Sequence, residues 1–427
     1  MAMQYQLPKG TYDLLPLGSK EEWQGTDLWQ YVEGIVRKVA SDYGYREIRT
    51  PIYEMTALFD RGVGETSDIV TKEMFTFEDK GGRSVTLRPE GTAVVIRSFI
   101  ENQLEQKGAV HKFFYIGPMF RYERPQSGRY RQHQQFGVEA IGNGSAEQDA
   151  EVIDLLCEFY RRLGLKNLKV LVNTVGDLET REAFKGALRS YLSTYLRELS
   201  EESRIRFEKN PLRILDSKDP RDREIVGGAP SILDYLTPNA KAHFDTLCAA
   251  LKMMKVPYTI DDKIVRGLDY YHMTVFEILS GELGAQNTIG GGGRYDGLIG
   301  ALGGPDLPGV GFGTGFERVI QAMLGQKVPL PKGRRPLVYF IPMGEEARET
   351  CLRLATECRH HGIGADIELS AKKMQAAMQN AIRVEAKFAV IIGTNELEQK
   401  LVQLKDLQTR EQREVRFEDL LKELSHV

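Results

Sequence analysis

Apolar residues recur along this chain with two different periods, and the period predicts the element. Leu28, Tyr31, Val32, Ile35, Val36 and Val39 fall three and four apart, which predicts a helix with one apolar stripe. Gly44 ends that pattern, and a short strand over 46–50 runs into Pro51. Two hairpins follow. Phe75–Glu78 and Ser84–Leu87 flank Asp79-Lys80-Gly81-Gly82, and a longer pair joins roughly 112–123 to 130–141 around Pro125-Gln126-Ser127-Gly128. Period-two alternation in the second hairpin puts Phe136, Val138 and Ala140 on a core-facing side. His133, Gln135, Gly137 and Glu139 share the other. Polar groups and a bare glycine on one face of an interior strand describe the floor of a ligand site.

From about 149 to 251 the pattern is mostly helical and charged, with a loop over 216–230. Strands return at 264–279 and near Gly309–Gly315, and a helix starts at Phe316. The stretch Pro329-Leu330-Pro331-Lys332-Gly333 reads as a linker. Beyond it, 337–341 and Phe388–Ile392 are short continuous apolar runs separated by helical stretches, the pattern of strands buried in a parallel sheet. This predicts a separate α/β unit. Its charge is balanced, with 16 basic against 15 acidic residues from Lys332 onward.

Composition changes this picture only by exclusion. A chain of 427 residues holds more than one domain. The formal net charge of −3 supplies no general attraction to polyanions, so any phosphate site must be a local cluster of cations. The four cysteines, Cys157, Cys248, Cys351 and Cys358, form no C-x-x-C pair, which argues against zinc and disulfides and fits a reducing cytoplasm. Met1 to Leu17 lacks the basic stretch and apolar core of a secretory signal. No apolar run approaches the ~18 residues of a membrane span.

Four segments carry candidate chemistry. Arg121, Arg124, Arg129 and Arg131 give the second hairpin a net +3 between Arg121 and Arg131, and paired guanidinium donors suit phosphate oxygens. A solvated basic loop is the plainer alternative. In Gly309-Val310-Gly311-Phe312-Gly313-Thr314-Gly315, glycine at every other position strips one strand face for a flat ligand, unless it only bends the strand. Arg318 then stands in the first turn of a helix, where the helix dipole disfavours a cation. The dinucleotide pattern G-x-G-x-x-G does not fit, because Phe316 occupies its last glycine. The Gly290–Gly293 run, followed by Arg294-Tyr295-Asp296, fits it no better, and a tight turn or bend is the plainer alternative for both glycine runs. Arg266-Gly267-Leu268-Asp269-Tyr270-Tyr271 sets a cation, a carboxylate and two phenols close together. Arg88-Pro89-Glu90-Gly91-Thr92 ends a strand with a carboxylate and a hydroxyl, suited to a substrate ammonium or to capping the next helix.

Together these segments resemble the histidyl-tRNA synthetase family of class II aminoacyl-tRNA synthetases, bacterial type, over nearly the whole chain. The stretch ending at Pro51 is similar to motif 1. Gly117-Pro118-Met119-Phe120-Arg121-Tyr122-Glu123-Arg124-Pro125-Gln126 and Gly128-Arg129-Tyr130-Arg131-Gln132 resemble motif 2, and Gly311 to Arg318 resembles motif 3. The histidine-type signatures are Val265 to Tyr271 and Gly291-Gly292-Gly293-Arg294-Tyr295-Asp296.

The resemblance implies an α+β catalytic domain on an antiparallel sheet plus a C-terminal α/β anticodon-binding domain. Its expected bounds are a catalytic part over 1–328 with a mostly helical insertion at about 175–255, a linker at 329–334, and the anticodon part over 335–427. It implies a cytoplasmic homodimer acting on L-histidine, ATP and tRNA(His), with Mg²⁺ accompanying ATP, no zinc or organic cofactor, and neither DNA nor membrane as partner. By residue-wise match, Glu90, Gly91, Thr92 and Gln135 surround the histidine ammonium. Glu139 and Tyr271 read the imidazole, and Tyr270 lines its pocket. Arg121 and Arg266 grip the reacting carboxylate and α-phosphate as catalytic groups. Arg129 and Arg318 take the distal phosphates and adenine, and Gln126 the tRNA acceptor end. Where the family usually stacks a phenylalanine on adenine, this chain has His133, whose imidazole can also stack.

The implied reaction is in-line attack of the histidine carboxylate on the α-phosphorus, release of pyrophosphate, then transfer to a terminal ribose hydroxyl. Such chemistry asks mainly for positioning and charge stabilisation. An amino acid without the imidazole leaves Glu139 unpaired, a mismatch that discriminates by about 10⁴ or more. Two rivals share parts of the pattern. A non-enzymatic regulatory paralogue usually lacks the anticodon part and portions of motif 2 and of the Arg266–Tyr271 segment, all present here. Glycine or threonine ligases would need a pocket without Glu139 and Tyr271.

Overall fold

A computed structural model describes residues 5–16, 19–64, 67, 69–123, 128–265, 270–281, 287–330, 333, 335–370 and 373–426. Arg124, Gln126 and Arg266, and part of the expected linker, lie outside the described residues. The chain divides into two compact units, Met1–Pro331 and Lys332–Val427.

The strands of the first unit are β1 (Arg46–Glu47), β2 (Tyr53–Met55), β3 (Phe75–Glu78), β4 (Ser84–Leu87), β5 (His111–Phe120), β6 (Gln132–Ile141), β7 (Leu168–Thr174), β8 (Thr259–Ile260), β9 (His272–Ser280), β10 (Thr288–Arg294) and β11 (Gly309–Gly315). Eight of them form one sheet in the order β1-β5-β6-β11-β10-β9-β7-β8, while β2, β4 and β3 make a small second sheet. The large sheet is antiparallel except at its two ends, where β1 pairs with β5 and β7 with β8 in parallel. Strand β11, the last in sequence, therefore sits between β6 and β10 and joins two halves of the sheet.

One face of this sheet is core. Phe136, Val138 and Ala140 of β6 pack with Val32, Val36 and Val39 of the Thr26–Asp42 helix and Phe159 of the Ala146–Arg162 helix. Burying such a side chain contributes about 1.5–3 kcal/mol. The opposite face carries the site. A buried ion pair ties helix to sheet: Arg294 of β10 donates to both oxygens of Asp149, at 2.5 and 3.2 Å, and to the carbonyls of Asn143 and Ser145. Thr274 donates to the same carboxylate at 2.6 Å. The Asp149 carboxylate holds the Arg294 guanidinium firmly charged.

Several elements differ from the sequence reading. The strand expected over 46–50 pairs only at Arg46–Glu47. Within the stretch read as helical, Leu168–Thr174 is a strand; it is buried on both faces, so its side chains do not alternate. The loop expected over 216–230 contains a helix, Pro220–Gly227, whose N-cap Asp219 accepts from the Arg221 amide. The Gly290–Gly293 run is neither turn nor bend but the middle of β10, paired on both sides. No side chain fits there: a Cβ on Gly292 would lie 2.0 Å from the Gly311 carbonyl oxygen.

The helices Leu178–Ser193, Glu201–Lys209 and Pro220–Gly227 enclose a small core of their own, including Phe184, Leu188, Leu192, Ile214 and Ile225. The second unit is a five-stranded sheet in which Val338–Pro342 lies parallel to Ala365–Ile367 and Phe388–Ile392, with Leu401–Asp406 and Gln412–Arg416 antiparallel beyond them. Cys351 and Cys358 are buried in its core on the Glu345–His360 helix, and both are free thiols.

Candidate active site

The register of the large sheet explains the alternating glycines. Gly311, Gly313 and Gly315 of β11 stand opposite Glu139, Gly137 and Gln135 of β6. A Cβ on Gly311 would lie 2.3 Å from Glu139 Oε2, and one on Gly313 2.7 Å from Gln135 Nε2. Side chains from β6 therefore lean across a strand that has none. On the other flank Tyr115 of β5 stands opposite Gly137, and its ring occupies the space that a Cβ on Gly137 or Gly91 would need, 2.3 and 2.2 Å away.

Two cavities share this floor. The smaller, about 190 Å³, is lined by Glu90, Thr92, Tyr115, Gln135, Tyr270, Tyr271 and Tyr295. The larger, about 640 Å³, is lined by Arg129, Arg318, Glu123 and Glu277 among others. Arg121 and His133 border both.

Polar groups of the smaller cavity are held in a network. Glu90 accepts from the backbone amides of Thr92 and Ala93, at 2.7 and 2.8 Å, and so caps the Thr92–Glu101 helix while facing the cavity. Thr92 donates its hydroxyl to Glu139 Oε1 at 2.8 Å, and Tyr295 donates to Oε2 at 2.7 Å. Glu139 is fully buried, and burial pushes its carboxyl up to about 8. Gln135 donates to the Tyr115 hydroxyl at 3.0 Å. The rings of Tyr270 and Tyr271 lie 4.8 Å apart.

The wall of the larger cavity carries both arginines and carboxylates. Arg121 is anchored by donation from Nε to the Pro89 carbonyl at 2.8 Å. Arg318 donates to the carbonyls of Thr288 and Gly128, at 2.6 and 3.2 Å. Beside it, Glu317 accepts from the Gln134 amide at 2.8 Å and from the Tyr12 hydroxyl, and burial pushes it up to about 7. Arg129 pairs with Glu123 at 3.0 Å. Arg131 instead lies over the Tyr122 ring, 3.7 Å from its centroid, so the hairpin's arginines are not equivalent. Glu123 and Glu277 line the same cavity, and Glu277 accepts from the Thr288 hydroxyl at 3.0 Å.

Tyr115 and Tyr295 are the two site residues that sequence reasoning missed. Tyr295 stood within the Gly291–Asp296 run, and Tyr115 was findable from the hairpin register, opposite a glycine on the polar face.

His133 stays neutral. Burial, then Arg121 and Arg318, push its imidazole down from 6.5 to about 3. The unfolded chain thus binds a proton below pH 6.5 that the folded chain refuses until about 3, so stability contributed by neutral His133 is lost as pH falls through that window. His133→Phe is expected to flatten the acid loss of stability. Urea-unfolding midpoints of the two proteins at neutral pH and inside the window check this.

Comparison with known proteins followed the same division of the chain. Residues 29–319 match the family model for histidyl-tRNA synthetase, and residues 337–426 match that for an anticodon binding domain. A histidine–tRNA ligase of Protochlamydia amoebophila is 54% identical over 418 residues, covering 98% of this chain and 99% of the relative. One from a Geobacillus species is 48% identical over 416 residues, covering 97% of each. The crystal structure of apo histidyl-tRNA synthetase from S. aureus superposes with a TM-score of 0.83 at 35% identity, over 98% of this chain and 99% of that one.

Proposed function

We propose, for a chain that belongs to the histidyl-tRNA synthetase family, that the smaller cavity receives histidine and the larger one the triphosphate and adenine of ATP. The chain is a histidine–tRNA ligase: a class II catalytic domain that uses ATP, joined to a C-terminal anticodon-binding domain. The observation that carries the site assignment is Glu139, a buried carboxylate bonded to two residues that line a small polar cavity bordered by Arg121.

In this reading Glu90, Thr92 and Gln135 hold the ammonium, beside Gly91. Glu139 and Tyr271 take the imidazole N–H groups, and Tyr270 closes the wall. Arg121, with Arg266 by family resemblance, neutralises charge on the carboxylate and α-phosphate as pyrophosphate leaves. Arg129 and Arg318 take the outer phosphates and the base, and His133 lies against the adenine. Mg²⁺ enters with ATP near Glu123 and Glu277. Gln126 meets the tRNA acceptor end. Pyrophosphate exchange across the twenty amino acids tests the assignment, followed by tRNA charging; exchange driven equally by several amino acids would sink it.

Glu139 supplies a sharper expectation. Its carboxyl is largely protonated in the empty site at neutral pH, and an imidazole N–H donor favours the ionised form. Histidine binding should therefore release a proton, read by calorimetry in buffers of different ionisation heat. Glu139→Gln is expected to abolish that release and raise the KM for histidine by about 10–100-fold.

The homodimer rests on the small sheet. Ile52, Tyr53 and Met55 at β2 and Phe77 on β3 are each between 46% and 54% exposed, next to the segment resembling motif 1. Apolar side chains gathered in one place suit a partner copy. Met55→Asp is expected to shift the protein to monomer in analytical ultracentrifugation.

A further inference from the structure

The wall of the larger cavity is not built by the catalytic sheet alone. Facing the same space as Arg121 and Arg318 are Lys218 and Arg223, which belong to the helical segment between β7 and β8. Both are exposed, and neither side chain is paired with a described residue. Their neighbours behave otherwise. Lys185 pairs with Glu182, Arg206 with Glu202 and Arg221 with Asp219, while Arg181 and Arg189 donate to backbone carbonyls.

The second observation lies between the two cations. Asp222 is fully buried and accepts four hydrogen bonds: from the Ser200 amide at 2.8 Å and from the hydroxyls of Ser200, Ser203 and Ser217 at 2.7, 2.6 and 2.6 Å. Burying a carboxylate is costly unless its lone pairs are met, and here they are. The network fastens the turn before the Pro220–Gly227 helix to the Glu201–Lys209 helix, fixing the backbone on either side of Lys218 and at Arg223. Two exposed cations on a stiffened rim thus line the same cavity as the half-buried Arg121 and Arg318, which offers an anion cations from both parts of the fold beside the carboxylates of Asp216, Asp261 and Glu277.

Accepting the reading of the larger cavity as the nucleotide site, we infer that Lys218 and Arg223 bind the terminal phosphate oxygens of ATP, which makes the helical insertion part of the nucleotide site. Phosphate is also the chemistry of a tRNA backbone, and the assay separates the two sources. The full-length double variant Lys218→Ala/Arg223→Ala is measured by histidine-dependent pyrophosphate exchange in the absence of tRNA. The KM for ATP is expected to rise about 10-fold or more, since each cation makes a charge-assisted bond. The KM for histidine and the thermal midpoint should not move. Arg223→Lys should keep most of the ATP affinity, and Lys218→Glu should lose more than Lys218→Ala.

An unchanged KM for ATP overturns the inference. So does a change confined to the KM for tRNA in the charging assay, which would assign the cations to the nucleic-acid backbone. Parallel loss of histidine and ATP affinity also overturns it, by showing a general disturbance. Failure of the wild-type chain to exchange pyrophosphate with histidine would instead bring down the underlying reading of the cavities.

Discussion

Arg121→Ala is expected to lower the turnover of histidine-dependent pyrophosphate exchange by about 10²–10³-fold, the usual cost of removing one prepositioned donor from a site where charge develops. Arg121 borders both cavities, and its Nε is committed to the Pro89 carbonyl, which fixes the root of the guanidinium. On the proposed assignment of the two cavities, a fixed fork between them would act where carboxylate and α-phosphate meet. The loss should fall on turnover more than on the KM for histidine, because the ammonium and imidazole contacts remain. Arg121→Lys should restore little, since an ammonium cannot reproduce two parallel donors and the Pro89 anchor together. Turnover within a few-fold of wild type in the alanine variant would remove Arg121 from the chemistry.

The second large effect is on stability. Arg294→Met is expected to destabilise the first unit by about 3–5 kcal/mol, because it strands the Asp149 carboxylate in a fully buried position. The carbonyls of Asn143 and Ser145 lose their donor as well. Without the guanidinium, burial would dominate the Asp149 carboxyl and raise it further, so the variant should recover part of its stability as pH falls. Adding Asp149→Leu should also return part of the loss, since an apolar pair of similar volume often matches a buried ion pair. Urea denaturation of the three proteins measures both effects. Equal midpoints for wild type and Arg294→Met would show that the pair does not hold the helix to the sheet.

Much of the fold could be read because the main elements leave a regular pattern of apolar positions. The Thr26–Asp42 helix shows one apolar stripe, β6 alternates apolar with polar or bare positions, and the two parallel strands of the second unit are continuous apolar runs buried on both faces. The pattern failed where it had no contrast to offer. Strand β7 is buried on both sides, and β10 has hardly any side chains; its extended shape comes from neighbours on both edges and not from its own preference. The Pro220–Gly227 helix hid because its eight residues bury a hydrogen-bonded Asp222 beside Ile225 and Val226, which leaves no apolar stripe at helical spacing. In the site, Gln135 and Glu139 were legible as the polar face of β6. Tyr115 could be found only by setting β5 against β6 in register, because the glycines that make room for its ring lie 22 and 24 residues away in sequence.

The place of β11 in the sheet bears on how the protein is made. In the strand order β11 alone links β6 to β10, so a chain without Gly309–Gly315 has two sets of strands with no pairing between them. Each half presents an open edge, and open edges invite pairing with other chains. Gln135 and Glu139 belong to one half and Gly291 to the other, so the two sides of the pocket first meet when β11 zips them together. Nascent chains halted before this strand would be inactive and prone to aggregate, and the closing step joins segments far apart in sequence, which is slow.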